Sequence, residues 1–121
     1  MVGLGTSSGV HQKEQRMRQQ LDIIIQDSQA AITTLTKEAA ETRIALAELD
    51  LTITERRLPI RPVGDDMKNL LPGEREKIMQ SYARHSEDQA RQSGMRNRLA
   101  FIEREIVNWQ ERIDIAAKQQ K

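Results

Sequence analysis

The sequence has no cysteine, only three prolines, and one residue each of tryptophan, tyrosine and phenylalanine. Without cysteine, the chain can form neither a disulfide framework nor a cysteine-ligated zinc site, and it has no cysteine nucleophile. So few aromatic side chains cannot fill the thick core of a β-sandwich, a barrel or a doubly wound sheet. No run of about 18 apolar residues occurs, so the sequence predicts no membrane-spanning helix.

The charges are balanced: 19 Lys and Arg residues face 18 Asp and Glu residues, for a net charge of +1. The two signs are interspersed along the chain. Nucleic-acid binding draws most of its affinity from basic residues that are concentrated on one face and neutralise phosphates. Because acidic residues separate the basic ones here, we do not expect nucleic-acid binding. A nucleic-acid-associated coiled coil is the weaker alternative, and its basic residues would be Arg91, Arg96, Arg98 and Arg104.

Residues 10–57 contain neither proline nor glycine and predict one long helix. Within it, mostly apolar residues recur at alternating steps of four and three, and we call this stripe the seam of the helix. Such heptad repeats are typical of a helix packed lengthwise on another helix. The first seam is Leu21, Ile25, Ser28, Ile32, Leu35, Ala39, Thr42, Leu46, Leu49 and Ile53. Residues 1–9, which are rich in glycine and serine, predict a flexible N-terminal tail.

Residues 58–73 predict a connector, because every proline of the chain and two glycines fall within them. A second helix is predicted over residues 74–119, with Glu74 and Glu76 near its positive end. Its seam is apolar towards the C-terminus and polar in the middle. The second seam is Ile78, Tyr82, His85, Asp88, Gln92, Met95, Leu99, Ile102, Ile106, Trp109, Ile113 and Ala116.

Two helices of nearly equal length on either side of a proline-rich connector predict an all-α fold, a long antiparallel two-helix hairpin of the coiled-coil type. A single hairpin buries little apolar surface, so we expect it to pack with further helices in an assembly. A hairpin folded symmetrically about the connector places Asp22 beside Trp109. The same symmetry places the polar Asp88 opposite Thr42, so that the weak parts of both seams coincide.

The titratable residues predict no catalytic, cofactor or metal site, and we do not expect an enzyme. His85 has one carboxylate, that of Asp88, on the same helical face, and one histidine with one carboxylate does not define a metal site. The neighbouring Asp65 and Asp66 lie in the predicted connector. An exposed connector offers no pocket to shift the pKa of either carboxyl group.

Apolar residues outside the seams predict a surface for protein partners. Ile44 and Leu51 lie one heptad apart on a second stripe of the first helix, which one partner helix cannot cover together with the seam. Trp109 lies in the second seam, where packing within the hairpin and anchoring of another chain are both open. The predicted partner-binding residues are Ile23, Ile24, Ile44, Leu51, Ile60, Val63, Leu70, Leu71 and Trp109.

Residues 108–116, Asn-Trp-Gln-Glu-Arg-Ile-Asp-Ile-Ala, are similar to a stretch of the flagellar export stalk family. The glycine-rich start and the proline-rich connector depart from that family, and no family is assigned. We expect a non-enzymatic assembly, adaptor or spacer subunit of a larger complex, which is a homo- or hetero-oligomer. We expect its location to be the cytoplasm or an intracellular assembly. The resemblance implies the alternative of a stalk-like component inserted into an export ATPase.

Overall fold

The computed structural model describes residues 2–60 and 69–120, with the backbone alone described for residues 2–8. Helix α1 spans Val2–Glu55 and helix α2 spans Pro72–Gln120. The two helices pack against each other as an antiparallel hairpin, and the described ranges contain no strand. The predicted all-α hairpin is therefore confirmed.

Helix α1 begins upstream of its predicted start and ends at Glu55, two residues before its predicted end. Residues that were predicted as a tail are helical from Val2 onwards. Glycine costs about 1 kcal/mol per residue in a helix but keeps its backbone hydrogen bond, so it weakens a helix without blocking it. At the other end, the amide of Arg56 donates to the carbonyl of Thr52 at 3.1 Å. Pro59 then disfavours helical geometry in the residue before it.

Helix α2 begins at Pro72, two residues before its predicted start. The carbonyl of Leu71 accepts hydrogen bonds from the amides of Glu74 and Arg75, at 3.0 and 3.1 Å. Proline is favourable in the first turn because the amides there have no partner within the helix. Residues 61–68, the middle of the predicted connector, lie outside the described residues.

Both predicted seams are confirmed, because every residue assigned to either seam is buried or half-buried. Among the described residues, the buried ones are Leu21, Ser28, Ala39, Ile102 and Ala116. Two of these are alanines and one is a serine, so the interface removes little apolar area from water in each turn.

The chain divides into two units. Unit 1 combines Met1–Ala40 with Ala100–Lys121, and unit 2 is Glu41–Leu99. Each unit contains a segment of α1 and a segment of α2. Unit 1 therefore holds the start of α1 with the end of α2, and unit 2 holds the end of α1 with the start of α2.

In unit 1, the pairing of the helices is marked by a hydrogen bond from Gln120 Nε2 to Asp22 Oδ1 of 2.5 Å. The symmetrical hairpin predicts Asp22 beside Trp109 instead. That prediction is wrong by about three turns of α2, at 3.6 residues per turn.

In unit 2, Arg56 Nη2 donates to Asp88 Oδ2 at 2.5 Å, and Gln92 Nε2 donates to Asp50 Oδ1. Asp88 is thus paired with Arg56 and does not lie opposite Thr42, as the symmetrical hairpin predicts. These two polar seam residues of α2, Asp88 and Gln92, therefore meet polar partners from the other arm. This arrangement offsets the cost of removing them from water.

The shift has its cause in the path of the chain after α1. The hydroxyl of Tyr82 donates to the carbonyl of Pro59 at 2.8 Å. Residues 56–60 therefore continue alongside α2 beyond the end of α1. A non-helical residue advances the chain by about 3.3 Å, compared with 1.5 Å in a helix, so a few such residues displace the pairing by several helical positions.

Gly94 offers a direct test of the helical assignment in unit 2. It lies inside α2, and a Cβ atom built on it would meet no atom within 4 Å. We expect Gly94→Ala to raise the free energy of unfolding by about 0.5–1 kcal/mol, because alanine loses less conformational entropy in a helix. Urea unfolding followed by circular dichroism measures the change. A lower stability would show that position 94 is packed against something or is not helical.

Candidate partner-binding surface

Eight of the nine predicted partner-binding residues lie in the described part of the chain. Those with exposed side chains are Ile23, Ile24, Ile44, Leu51, Ile60 and Leu71. Leu70 and Trp109 are half-buried, and Val63 lies outside the described residues. The predicted exposure beyond the seams is therefore present, and the binding of a partner there stays a prediction.

Ile44 and Leu51 form an exposed stripe on the part of α1 that belongs to unit 2. They are seven residues apart and hence lie on the same helical face, about two turns from each other. Leu51 falls midway between the seam residues Leu49 and Ile53, so it points away from the seam. Helix α2 packs on the seam and leaves this stripe uncovered.

The connector residues differ from one another in exposure. Ile60 and Leu71 are exposed, whereas Leu70 is half-buried. Single exposed apolar side chains are common on protein surfaces. Of these three residues, Leu70 is the one that packs within unit 2.

Unit 1 contains an apolar cavity of about 460 Å³ between the helices, which we call the Trp109 groove. Its apolar walls are Leu21, Ile24, Trp109, Ile115 and Ala116. Cavities of about 300–1,000 Å³ are typical of binding sites in proteins. The groove brings together two of the predicted residues, Ile24 and Trp109.

Polar side chains also line the Trp109 groove: Asp27 and Ser28 come from α1, and Arg112 and Gln119 come from α2. The Cζ atom of Arg112 lies 4.2 Å from the ring centroid of Trp109, within the range of a cation–π contact. Ser28 is 1% exposed, and its hydroxyl has no hydrogen-bond partner among the described residues. A buried hydroxyl without a hydrogen-bond partner lowers the free energy of unfolding by about 1–3 kcal/mol. Ser28 is therefore an unsatisfied polar residue of the groove.

Sequence reasoning missed Ile115 as a groove residue, and it assigned Leu21, Ser28 and Ala116 to the seams alone. The signal was the small size of Ser28 and Ala116, which are buried and form the floor of the groove. That signal could not be used without the pairing of the helices. Only the contact between Asp22 and the end of α2 brings the two small residues into one cavity.

Polar side chains of unit 2 form two separate links between the arms of the hairpin, which together we call the polar cluster. Asp50 accepts a hydrogen bond from Gln92 and lies 3.7 Å from the Nη2 atom of Arg96. The side chains of Arg56 and Asp88, which form an ion pair, are both largely buried. The cluster thus joins α1 and the residue that follows it to α2 through charged and amide groups.

His85, the residue considered for a metal site, is a half-buried member of the seam. Among the described residues, no group of three or more His, Cys, Asp or Glu side chains could hold a metal ion. Asp65 and Asp66, the carboxylate pair of the connector, lie outside the described residues.

Comparison of the chain with protein-family models, with curated proteins and with solved structures finds no match. A search of the described helices for one long and apolar enough to cross a membrane also finds none. The function is therefore inferred from the chain's own residues and surfaces.

Proposed function

We propose that the chain is a non-enzymatic coiled-coil subunit that joins a larger protein complex by packing its helices against other chains. The observation that carries this proposal is the exposed surface, which amounts to 9789 Å². A compact monomer of 13.9 kDa exposes about 6,700 Å², so the excess is about 3,100 Å². Obligate interfaces bury about 2,000–5,000 Å² in total, which is about 1,000–2,500 Å² on each partner, so this excess is large enough for one such interface.

The distribution of exposed apolar residues supports the same proposal. In unit 1, Val10, Met17 and Ile24 follow one another at steps of seven on α1, and all three are exposed. Phe101 and Ile115 are exposed on α2, two heptads apart. Residues at such spacing share one helical face, and a row of them gives another helix a continuous apolar surface to cover.

The small number of buried apolar residues also supports the proposal. The apolar residues fully buried within the described ranges are Leu21, Ala39, Ile102 and Ala116. Burial of such a small core provides little free energy against the conformational entropy of two long helices. Contacts with other chains would supply the missing apolar burial, and the chain would act as a rod that presents apolar stripes.

In this proposal, Ile23, Ile44 and Leu51 contact partner helices, and the complex lies in the cytoplasm or another intracellular assembly. The alternative of an export ATPase stalk gains no support from the comparisons, in which no relative of that family appears. Whether the other chains are copies of this one or different proteins follows from the self-association of the purified chain.

Thermal unfolding at several protein concentrations tests the proposal. We expect the melting temperature to rise with concentration, because association stabilises the folded state by mass action. If the partner is a different protein, the isolated chain should melt broadly and at low temperature. A cooperative transition at one high temperature, unchanged over about a 100-fold range of concentration, would show a stable monomer and contradict the proposal.

A further inference from the structure

We propose that a second copy of this chain docks on the Trp109 groove, so that the grooves of two chains face each other and four helical segments pack together. This inference rests on the proposed function, since it names the partner for one surface of the subunit. Both walls of the groove carry apolar side chains beside polar and charged ones. Apolar side chains of a second chain would cover the exposed part of these walls.

The residues that would enter the groove of a second copy lie on the rims of the groove itself. Ile24 of α1 and Ile115 of α2 both line the cavity, and both have exposed side chains. Ser28 and Ala116 form the floor of the groove and are buried, so the space open to another molecule lies above them, between the exposed rims. A second groove placed face to face would bring its two isoleucines towards this space.

The rim charges favour a second copy over an unrelated helix. Asp27 lies on the α1 wall and Arg112 on the α2 wall. In a two-fold symmetric contact, residue i of one chain meets residue j of the other, and j meets i. A two-fold axis parallel to the helices places α1 of each chain against α2 of the other. Rotation about this axis leaves the position of every residue along the helix axis unchanged. The carboxylate on each α1 wall then faces the guanidinium on the α2 wall of the partner.

The helix pairing within unit 1 places these charges at matching heights. Asp22 is bonded to Gln120, and the helices are antiparallel, so five residues along each helix bring Asp27 level with Ile115. Arg112 lies three residues from that level, about 4.5 Å along the axis at 1.5 Å per residue. An arginine side chain spans this distance. The symmetric contact therefore forms two pairs of opposite charge.

The surface available for such a contact is sufficient. A specific interface buries about 800 Å² on each partner, and the chain exposes about 3,100 Å² more than a compact monomer of its mass. One groove contact would use about a quarter of this excess. The exposed stripe of Ile44 and Leu51 in unit 2 remains available for other chains.

Charge reversal tests the symmetric contact. We expect Asp27→Arg and Arg112→Asp each to weaken self-association about tenfold, since both create two like-charge pairs in the dimer. An equimolar mixture of the two variants should recover the wild-type affinity, because opposite charges then meet across the interface. Asp114→Arg is the matched control: Asp114 is bonded to Gln110 on its own helix, outside the groove, and its reversal should leave the affinity unchanged. Sedimentation equilibrium measures all four proteins and the mixture.

A second pair of variants tests the apolar contact without touching the charges. Ile115 is 58% exposed and lines the groove, whereas Val107 is 55% exposed on the same helix and is not part of it. We expect Ile115→Gln to weaken self-association about tenfold and Val107→Gln to leave it unchanged, because only Ile115 would lose the burial of an aliphatic side chain in the groove. Circular dichroism checks that every variant keeps its helices.

The outcomes separate this inference from the proposed function. If the wild-type chain self-associates but the groove variants match their controls, or the mixture is no tighter than either variant alone, the groove is not the contact and only this inference fails. Only this inference fails, too, if the chain is an unstable monomer that a different protein stabilises. If the wild-type chain is a stable monomer at all concentrations, both fail.

Discussion

Ile102→Ala is expected to lower the free energy of unfolding by about 2–4 kcal/mol. Ile102 is 2% exposed and is the largest fully buried side chain that α2 contributes to unit 1. The loss combines the transfer free energy of the deleted methyl and methylene groups with the cost of the cavity left behind. Since the fully buried set is small, other side chains offer little compensation.

The neighbouring residue provides the control. Phe101 is larger than Ile102 but is 60% exposed. At a protein concentration low enough to keep the chain monomeric, Phe101→Ala should change the free energy of unfolding by less than about 0.5 kcal/mol, as is usual for surface substitutions. Urea unfolding of both variants measures the difference. Equal losses in the two variants would mean that the seam of α2 does not face α1 as described.

The ion pair of unit 2 gives the second large expected effect. Arg56 and Asp88 are bonded across the hairpin, and both side chains are largely buried. We expect Asp88→Ala to lower the free energy of unfolding by about 2–3 kcal/mol, because it leaves the Arg56 guanidinium without its carboxylate in a poorly solvated position. The figure is below the loss for a fully buried pair because some solvent reaches these atoms.

Replacement of both partners by leucine removes the two charges but keeps most of the side-chain volume. Arg56→Leu combined with Asp88→Leu should be as stable as the wild type or more stable, because a buried ion pair often repays no more than its desolvation cost. Thermal and urea unfolding of Arg56→Leu, Asp88→Leu and the double variant form a double-mutant cycle with the wild type. A double variant less stable than Asp88→Ala would contradict the description of the two residues as partners.

The seams could be predicted residue by residue, and the pairing of the helices could not. A helix repeats every 3.6 residues, so the spacing of Leu21, Ile25 and Ser28 already defines which face is buried. Even the polar members, such as His85 and Gln92, occupy the predicted seam. Periodicity carries no information about the axial offset between two packed helices. The symmetrical hairpin therefore rested on an assumed offset.

The pairing depends on a few contacts that no pattern reveals. The hydroxyl of Tyr82 reaches the carbonyl of Pro59, and Arg56 reaches Asp88 from just beyond the end of α1. A symmetrical turn ignores that residues 56–60 run on alongside α2. Opposite charge favours Arg56 as the partner of Asp88 over the neutral Thr42, but charge alone does not select Arg56 among the other basic residues of the chain.

The candidate surface was predicted in part for the same reason. Ile24 and Trp109 could be singled out from composition and spacing, and both line the Trp109 groove. Ile115 and Ser28 gain their role only from the height at which α2 lies against α1. The exposed stripe of Ile44 and Leu51 needed no pairing, because it depends on one helix alone.

Sedimentation equilibrium of the purified chain is the most direct test of whether the chain assembles with others. We expect a mass above 13.9 kDa that rises with concentration, or, if the partner is a different protein, a 13.9 kDa species that unfolds at low temperature and without a sharp transition. The first result would show that the chain covers its apolar surface with copies of itself. A mass of 13.9 kDa at every concentration, together with cooperative unfolding at high temperature, would contradict a role as an assembly subunit.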